Sequence, residues 1–159
     1  MKILYLCKHN RCRSILCEAI TNQIAAPLLK GYSAGSQPTD AVHPAAMAEL
    51  HFRGYDTRGL ASQSWDAYLG SEIDLVVTVS DSAAIESCPP WLGDTPVVHW
   101  PLPDPIAQTS ELACAELFDQ VATTIVARVD AMLEVGLHNL AAEQRRAALD
   151  RLTAEWASA

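Results

Sequence analysis

The sequence has no long apolar run. The opening stretch ILYLC, Ile3 to Cys7, ends at Lys8, and the longest later one, IAAPLL, is six residues. A membrane-spanning helix needs about 20 such residues, and a secretory signal needs a longer apolar stretch behind its positive start. These absences predict a soluble, unprocessed, cytoplasmic protein that does not work in a membrane. Cys-x-x-Cys pairs are also missing, which argues against a structural zinc site. The five cysteines (Cys7, Cys12, Cys17, Cys88 and Cys114) are odd in number and do not read as a secreted disulfide framework. Positive charge is scarce, with 11 Lys and Arg against 19 Asp and Glu for a formal net charge of −8. That balance argues against a general nucleic-acid binder, because phosphate contacts need a basic face.

What is present fits one globular domain. The chain has 159 residues, half of them apolar, which is enough to fill one core and excludes a disordered or fibrous protein. There is no internal repeat, low-complexity tract or linker. The few positive charges are unevenly placed. Residues 1–31 hold five (Lys2, Lys8, Arg11, Arg13 and Lys30) against Glu18 alone, a local +4, while the rest of the chain holds six Arg against 18 acids, or −12. A positive opening on an acidic chain reads either as a local anion site or as ordinary solvated charge.

Residues Lys2 to Leu6 read as a short buried strand, and Ser14 to Leu28 as a helix with Ile15, Ala19, Ile20 and Ile24 near helical spacing. Gly31 to Gly35 is a weaker strand ending in turn chemistry. Pro44 opens a helix that stops at Gly54, with proline at the favoured first position. The segment DLVVTV, Asp74 to Val79, is the clearest buried strand, apolar on both faces as a parallel sheet requires. Thr95 to Trp100 reads as another. Ser110 to Val135 is a long amphipathic helix with a stripe of Cys114, Leu117, Val121, Ile125, Val129 and Met132. A last helical pattern over 141–157 has Leu149, Leu152 and Trp156 on one side, free to dock on the domain or on a partner. Strands alternating with helices predict an α/β sheet with right-handed crossovers.

Between the first strand and first helix lies Cys7-Lys8-His9-Asn10-Arg11-Cys12-Arg13-Ser14, a C-x5-R-S loop. Backbone N–H groups at a helix start, with the helix dipole, make a site for a tetrahedral oxyanion. Arg13 can curl back and hold two oxygens with its planar fork. The same positive field favours a thiolate at Cys7, and Ser14 can donate a hydrogen bond to it. Asn10 tolerates the left-handed backbone that a tight loop needs. The result is a nucleophilic sulfur aimed at the centre of a bound oxyanion. Cysteine and arginine at this spacing are weakly specific by themselves.

The loop does not stand alone. CKHNRCRSIL (Cys7 to Leu16), SAGSQP (Ser33 to Pro38), VHPAA (Val42 to Ala46), DLVVTVSDSAAIESCP (Asp74 to Pro89) and HWPLPDP (His99 to Pro105) together resemble the low-molecular-weight protein tyrosine phosphatase family. Within it they are most similar to the arsenate reductase branch. The resemblance implies an α/β three-layer sandwich with a four-stranded parallel sheet flanked by helices. It implies a domain over residues 1–138, leaving 139–159 as a helical C-terminal extension. Cys7 becomes the nucleophile, residues Lys8 to Ser14 the oxyanion cradle with Arg13 as its clamp, and Asp104 the general acid for a departing oxygen. Asp104 is otherwise a turn residue among Pro101, Pro103 and Pro105. No metal or organic cofactor is implied.

Phosphate and arsenate share shape and charge, so the loop does not choose between them. A phosphatase needs one thiolate and water, whereas an arsenate reductase must deliver two electrons and leave a disulfide. Cys88, in a turn after a short helical stretch, is the candidate resolving thiol or else a small buried hydrophobe. The reductase branch usually carries another cysteine where this chain has Ser80, so a three-cysteine relay to thioredoxin does not run through that position. An external thiol such as glutathione with glutaredoxin, or Cys12 inside the loop, could take the missing step. Cys12 reads more readily as a packed residue, and Cys17 and Cys114 as core. Ile15 after Arg13-Ser14, Ile106 after Asp104-Pro105, and the absence of an aromatic between Gly35 and Pro44 point away from a phosphotyrosine substrate. His9 reads either as added positive charge near the anion or as a solvent-facing side chain. The expected activity is thiol-dependent reduction of arsenate, with aryl-phosphate hydrolysis or oxyanion binding without turnover as the alternatives.

Overall fold

Aliphatic residues on both faces of ILYL and LVVT leave these strands no solvated side, and they pair at the centre of the sheet. The computed structural model describes residues 1–86 and 88–157. Its strands are β1 (Lys2–Leu6), β2 (Lys30–Ala34), β3 (Leu75–Thr78) and β4 (Val97–His99). They lie in the order β2-β1-β3-β4, all parallel, with Leu4 level with Tyr32 on one side and Val76 on the other. The helices are α1 (Arg13–Ile24), α2 (Pro44–Phe52), α3 (Asp81–Ile85), α4 (Glu111–Glu134) and α5 (Ala142–Ala157).

Strand alternation sorts the core into two parts. Ile3, Tyr5, Leu75 and Val77 face the larger one, with Ile15, Leu16 and Ile20 of α1, Leu50 of α2 and Phe118, Val121, Ile125 and Val129 of α4. Leu4, Leu6 and Val76 face a smaller cluster closed by Ala34, Leu92 and the partly buried Tyr32, Trp65, Tyr68, Cys88 and Trp91. Short 3-10 turns at 65–68 and 90–92 supply most of that second cover. Each fully buried large side chain contributes about 1.5–3 kcal/mol over leaving it exposed.

Several elements differ from expectation for local reasons. The first helix ends at Ile24 rather than Leu28, because Pro27 lacks the N–H a helix interior needs. The Asn22 side chain then joins α1 to β2, accepting from Gly31 N at 2.9 Å and donating to Gly31 O at 3.0 Å. On α4 the buried stripe includes Phe118 and Arg128, while Cys114 and Leu117 are only half-buried. The last helix docks on the domain itself: Ala148, Leu149 and Leu152 of α5 join the larger core cluster.

Candidate active site

All the groups that matter sit at the C-terminal edge of the parallel sheet. With β2 on one side of β1 and β3 on the other, the chain direction switches between β1 and β3, where open α/β sheets bind ligands. The 7–12 loop follows β1, α3 follows β3, and the Asp104 loop follows β4. Together they enclose a pocket of about 160 Å3 lined by Cys7, Lys8, His9, Arg11, Cys12, Arg13, Ser82, Asp104 and Ile106.

The loop is held from outside by its carbonyls. Lys8 O accepts from Gln37 N (2.9 Å), Arg11 O from His43 N (2.9 Å), and His9 O from Thr39 N (3.2 Å) and the Ser62 hydroxyl (3.1 Å). With these carbonyls turned outward, the amides of residues 8–13 donate to no other group among the described residues. Such a ring of free N–H groups at a helix start forms an anion nest. Asn10 supplies the left-handed turn, with φ of 45°, and it is fully buried. Its Oδ1 accepts from Gln63 N at 2.7 Å, and its Nδ2 donates to Ser14 Oγ at 2.8 Å. Ser14 Oγ lies 3.0 Å from Cys7 Sγ, so its own proton is directed at the sulfur.

Arg13 reaches across to the acid loop. Its Nη1 donates to Leu102 O at 3.0 Å and its Nη2 to Asp104 Oδ2 at 3.1 Å. Asp104 Oδ1 also accepts from Ile106 N at 3.3 Å, capping the turn Pro105–Ala107. The turn role and the pocket-lining position therefore coexist. His9 Nδ1 donates to the Gln37 carbonyl at 3.1 Å, which holds the ring beside the loop.

Burial raises three of the other thiols. Cys12 lines the pocket but is buried, and burial, then the Asp104 carboxylate, pushes its thiol up from 9.0 to about 12. Cys17 is wholly buried and also raised by burial. Cys88 does not line the pocket; it packs against the Leu4, Leu6 and Val76 cluster, and burial raises it as well. Cys114 touches the core but also lines a larger groove of about 900 Å3 between α2 and α4, which includes none of the 7–14 loop. Among the described residues no group of three or more His, Cys, Asp or Glu could hold a metal ion, and no helix is long and apolar enough to cross a membrane.

Four contributors carried little signal in the sequence. Gly35 lies flush against the loop, where a Cβ would sit 2.5 Å from Lys8 O and 2.8 Å from Cys7 O. Ser62 and Gln63 bind the loop from a distant, irregular segment. Ser82 is placed in the pocket by α3, whose first turn Ser80 caps by accepting from Ala83 N. Only the glycine, standing after a strand in SAGS, offered a hint of close backbone approach.

A thiol beneath a helix start, an arginine fork and a carboxyl on the facing loop are the groups that cysteine chemistry on an oxyanion requires. Residues 2–146 match the family model described as low molecular weight phosphotyrosine protein phosphatase, and the chain belongs to that family. It is 32% identical to an arsenate reductase of Bacillus subtilis over 137 residues, covering 85% of this chain and 97% of that one. It is 27% identical to a glutaredoxin arsenate reductase of Synechocystis sp. over 111 residues, covering 70% and 83%. In structure it is similar to an arsenate reductase from Archaeoglobus fulgidus, with a TM-score of 0.66 at 26% identity, covering 80% and 98%.

Proposed function

We propose that this protein is an arsenate reductase in which Cys7 is the nucleophile, Arg13 and the loop amides hold the anion, and Asp104 is the acid. The observation that carries this reading is the pocket: about 160 Å3, with Lys8, Arg11 and Arg13 around Cys7 and no Phe, Tyr or Trp among its lining residues. A phenol ring would need an apolar wall to stack on, and Ile106 is the one large aliphatic side chain there. The names of the relatives support the same choice.

The Cys7 thiolate attacks arsenic and forms an S–As bond. One As–O bond breaks, and the Asp104 proton goes to the departing oxygen, so water leaves. A second thiolate then attacks Cys7 Sγ. The S–S bond forms, the S–As electron pair stays on arsenic, and As(V) becomes As(III) and departs as arsenite. Two thiols supply the two electrons, and a further thiol reduces the disulfide.

Cys88 can serve as the second thiol only if the segment after α3 leaves the Leu4, Leu6 and Val76 cluster. Cys12 is close but firmly protonated, and a thiolate is the attacking species. These points favour an external thiol, glutathione with glutaredoxin, over an internal relay to thioredoxin. A reduced thiol pool places the reaction in the cytoplasm.

The test is arsenate-dependent NADPH oxidation by the purified protein, run with glutathione, glutaredoxin and glutathione reductase and, separately, with a thioredoxin system. The expected result is turnover with glutathione that C7S abolishes and C88S leaves within about twofold. Turnover that requires thioredoxin and is lost in C88S makes Cys88 the resolver. No arsenate turnover alongside hydrolysis of an aryl phosphate overturns the reductase reading and leaves the phosphatase that the family description names.

A further inference from the structure

The C-terminal helix reaches the end of β4 through a stack of rings. Trp156 of α5 stands edge-on to Trp100, with centroids 4.9 Å apart and planes at 88°. The Arg128 guanidinium of α4 lies over both, 5.3 Å from the Trp156 ring and 5.7 Å from the Trp100 ring. Trp100 is fully buried and Arg128 only 7% exposed. This is a costly way to fill a core. Among the described residues, Trp100 Nε1 and Arg128 Nη1 have no hydrogen-bond acceptor and no carboxylate pairs with Arg128. Cation–π attraction offsets part of the desolvation, but apolar side chains of similar volume would serve stability at least as well. The stack therefore calls for a reason other than stability.

The backbone supplies one. Trp100 N donates to Thr78 O at 2.8 Å, and the chain then runs Pro101-Leu102-Pro103-Asp104-Pro105. Leu102 N donates to Val79 O at 3.3 Å, and Leu102 O holds Arg13 Nη1 at 3.0 Å. Three prolines in five residues fix φ at alternate positions, so a shift at Trp100 passes along the segment instead of being absorbed. We propose that Trp156, with Arg128, is a positioning residue for the reaction: it fixes Trp100 and thereby holds the Asp104 loop at the distance that Arg13 and the departing oxygen require. The inference rests on Asp104 being the acid, as read above. It makes the C-terminal helix part of the catalytic apparatus.

A misplaced acid matters most when the leaving group is poor. The test compares kcat and KM of W156A and W156F for phenyl phosphate, p-nitrophenyl phosphate and arsenate, with the inhibition constant of inorganic phosphate. W156A is expected to lower kcat about tenfold for phenyl phosphate and arsenate, and less than about threefold for p-nitrophenyl phosphate. Phosphate inhibition should stay within about twofold, and W156F should recover most of the loss. If W156A does not fold, R128M carries the same comparison. Equal losses on the two aryl phosphates, no loss on either, or a change confined to KM overturns the proposal. If the unmodified protein hydrolyses both esters but does not reduce arsenate, the reductase reading fails, and the leaving-group contrast still decides the role of Trp156. If it does neither, both readings fall.

Discussion

The hydroxyl of Ser14 has one proton, and its neighbours decide where that proton goes. Asn10 Nδ2 can only donate, so it occupies an acceptor site on Ser14 Oγ and leaves the O–H for Cys7 Sγ. Removing the hydroxyl in S14A strips the sulfur of its donor and leaves a buried amide unpaired, which should lower kcat about 10–100-fold on arsenate and aryl phosphate alike. Asp104 offers a sharper separation. Its carboxylate competes with any bound anion for Arg13 Nη2 and repels that anion. The neutral D104N should therefore bind phosphate as tightly or more tightly while losing about 100-fold in kcat. Calorimetry beside kinetics checks this, and an unchanged kcat would mean that the departing oxygen takes its proton from a group other than Asp104. These residues were legible because a helix start, an arginine six residues after a cysteine and a turn aspartate are encoded locally. Cys88 was not, because which sheet face a loop thiol packs against depends on Leu4, Leu6 and Val76, distant in sequence.

At the level of elements, the 7–12 loop is shaped by what lies behind it. The backbone of Gly35, just past β2, presses on the carbonyls of Cys7 and Lys8. A methyl group there meets backbone on two sides and cannot be accommodated by a rotamer change. G35A should destabilise the fold by about 3 kcal/mol, lowering Tm by about 10 °C, and weaken phosphate binding by at least tenfold as the amides lose their convergence. A normal Tm with intact binding would show that the loop can slide as a unit. Element types were readable from apolar spacing, and an α/β sheet from the alternation of strands with helices, but the strand order β2-β1-β3-β4 was not. The boundaries moved where a single residue intervened, as Pro27 does at the end of α1. The docking of α5 was open in the sequence because its apolar side, Leu149, Leu152 and Trp156, suits any apolar partner. Only the fold reveals that Trp100 and the end of the sheet lie within reach.

Across the whole molecule, burial under the loop ties stability to pH. Burial, then the Asp104 carboxylate, pushes the Cys12 thiol up from 9.0 to about 12, and burial raises Cys17 and Tyr5 above their ordinary values as well. A group with a raised folded pKa holds its proton in the native state after the unfolded chain would have lost it. Its contribution is fully present below about pH 9 and is lost as pH rises toward the folded value. Stability should therefore be flat through neutral pH and fall above about pH 9, by about 1.4 kcal/mol per pH unit for each such group. Thermal melts from pH 7 to pH 11 under reductant measure the curve. C12A removes one of these groups and should make the alkaline fall shallower by one proton. A curve that C12A leaves unchanged would mean that Cys12 ionises as freely in the folded loop as in water. That outcome would return it to contention as the thiol that attacks the Cys7–arsenic bond, and the external thiol would then be needed only to reduce the finished disulfide.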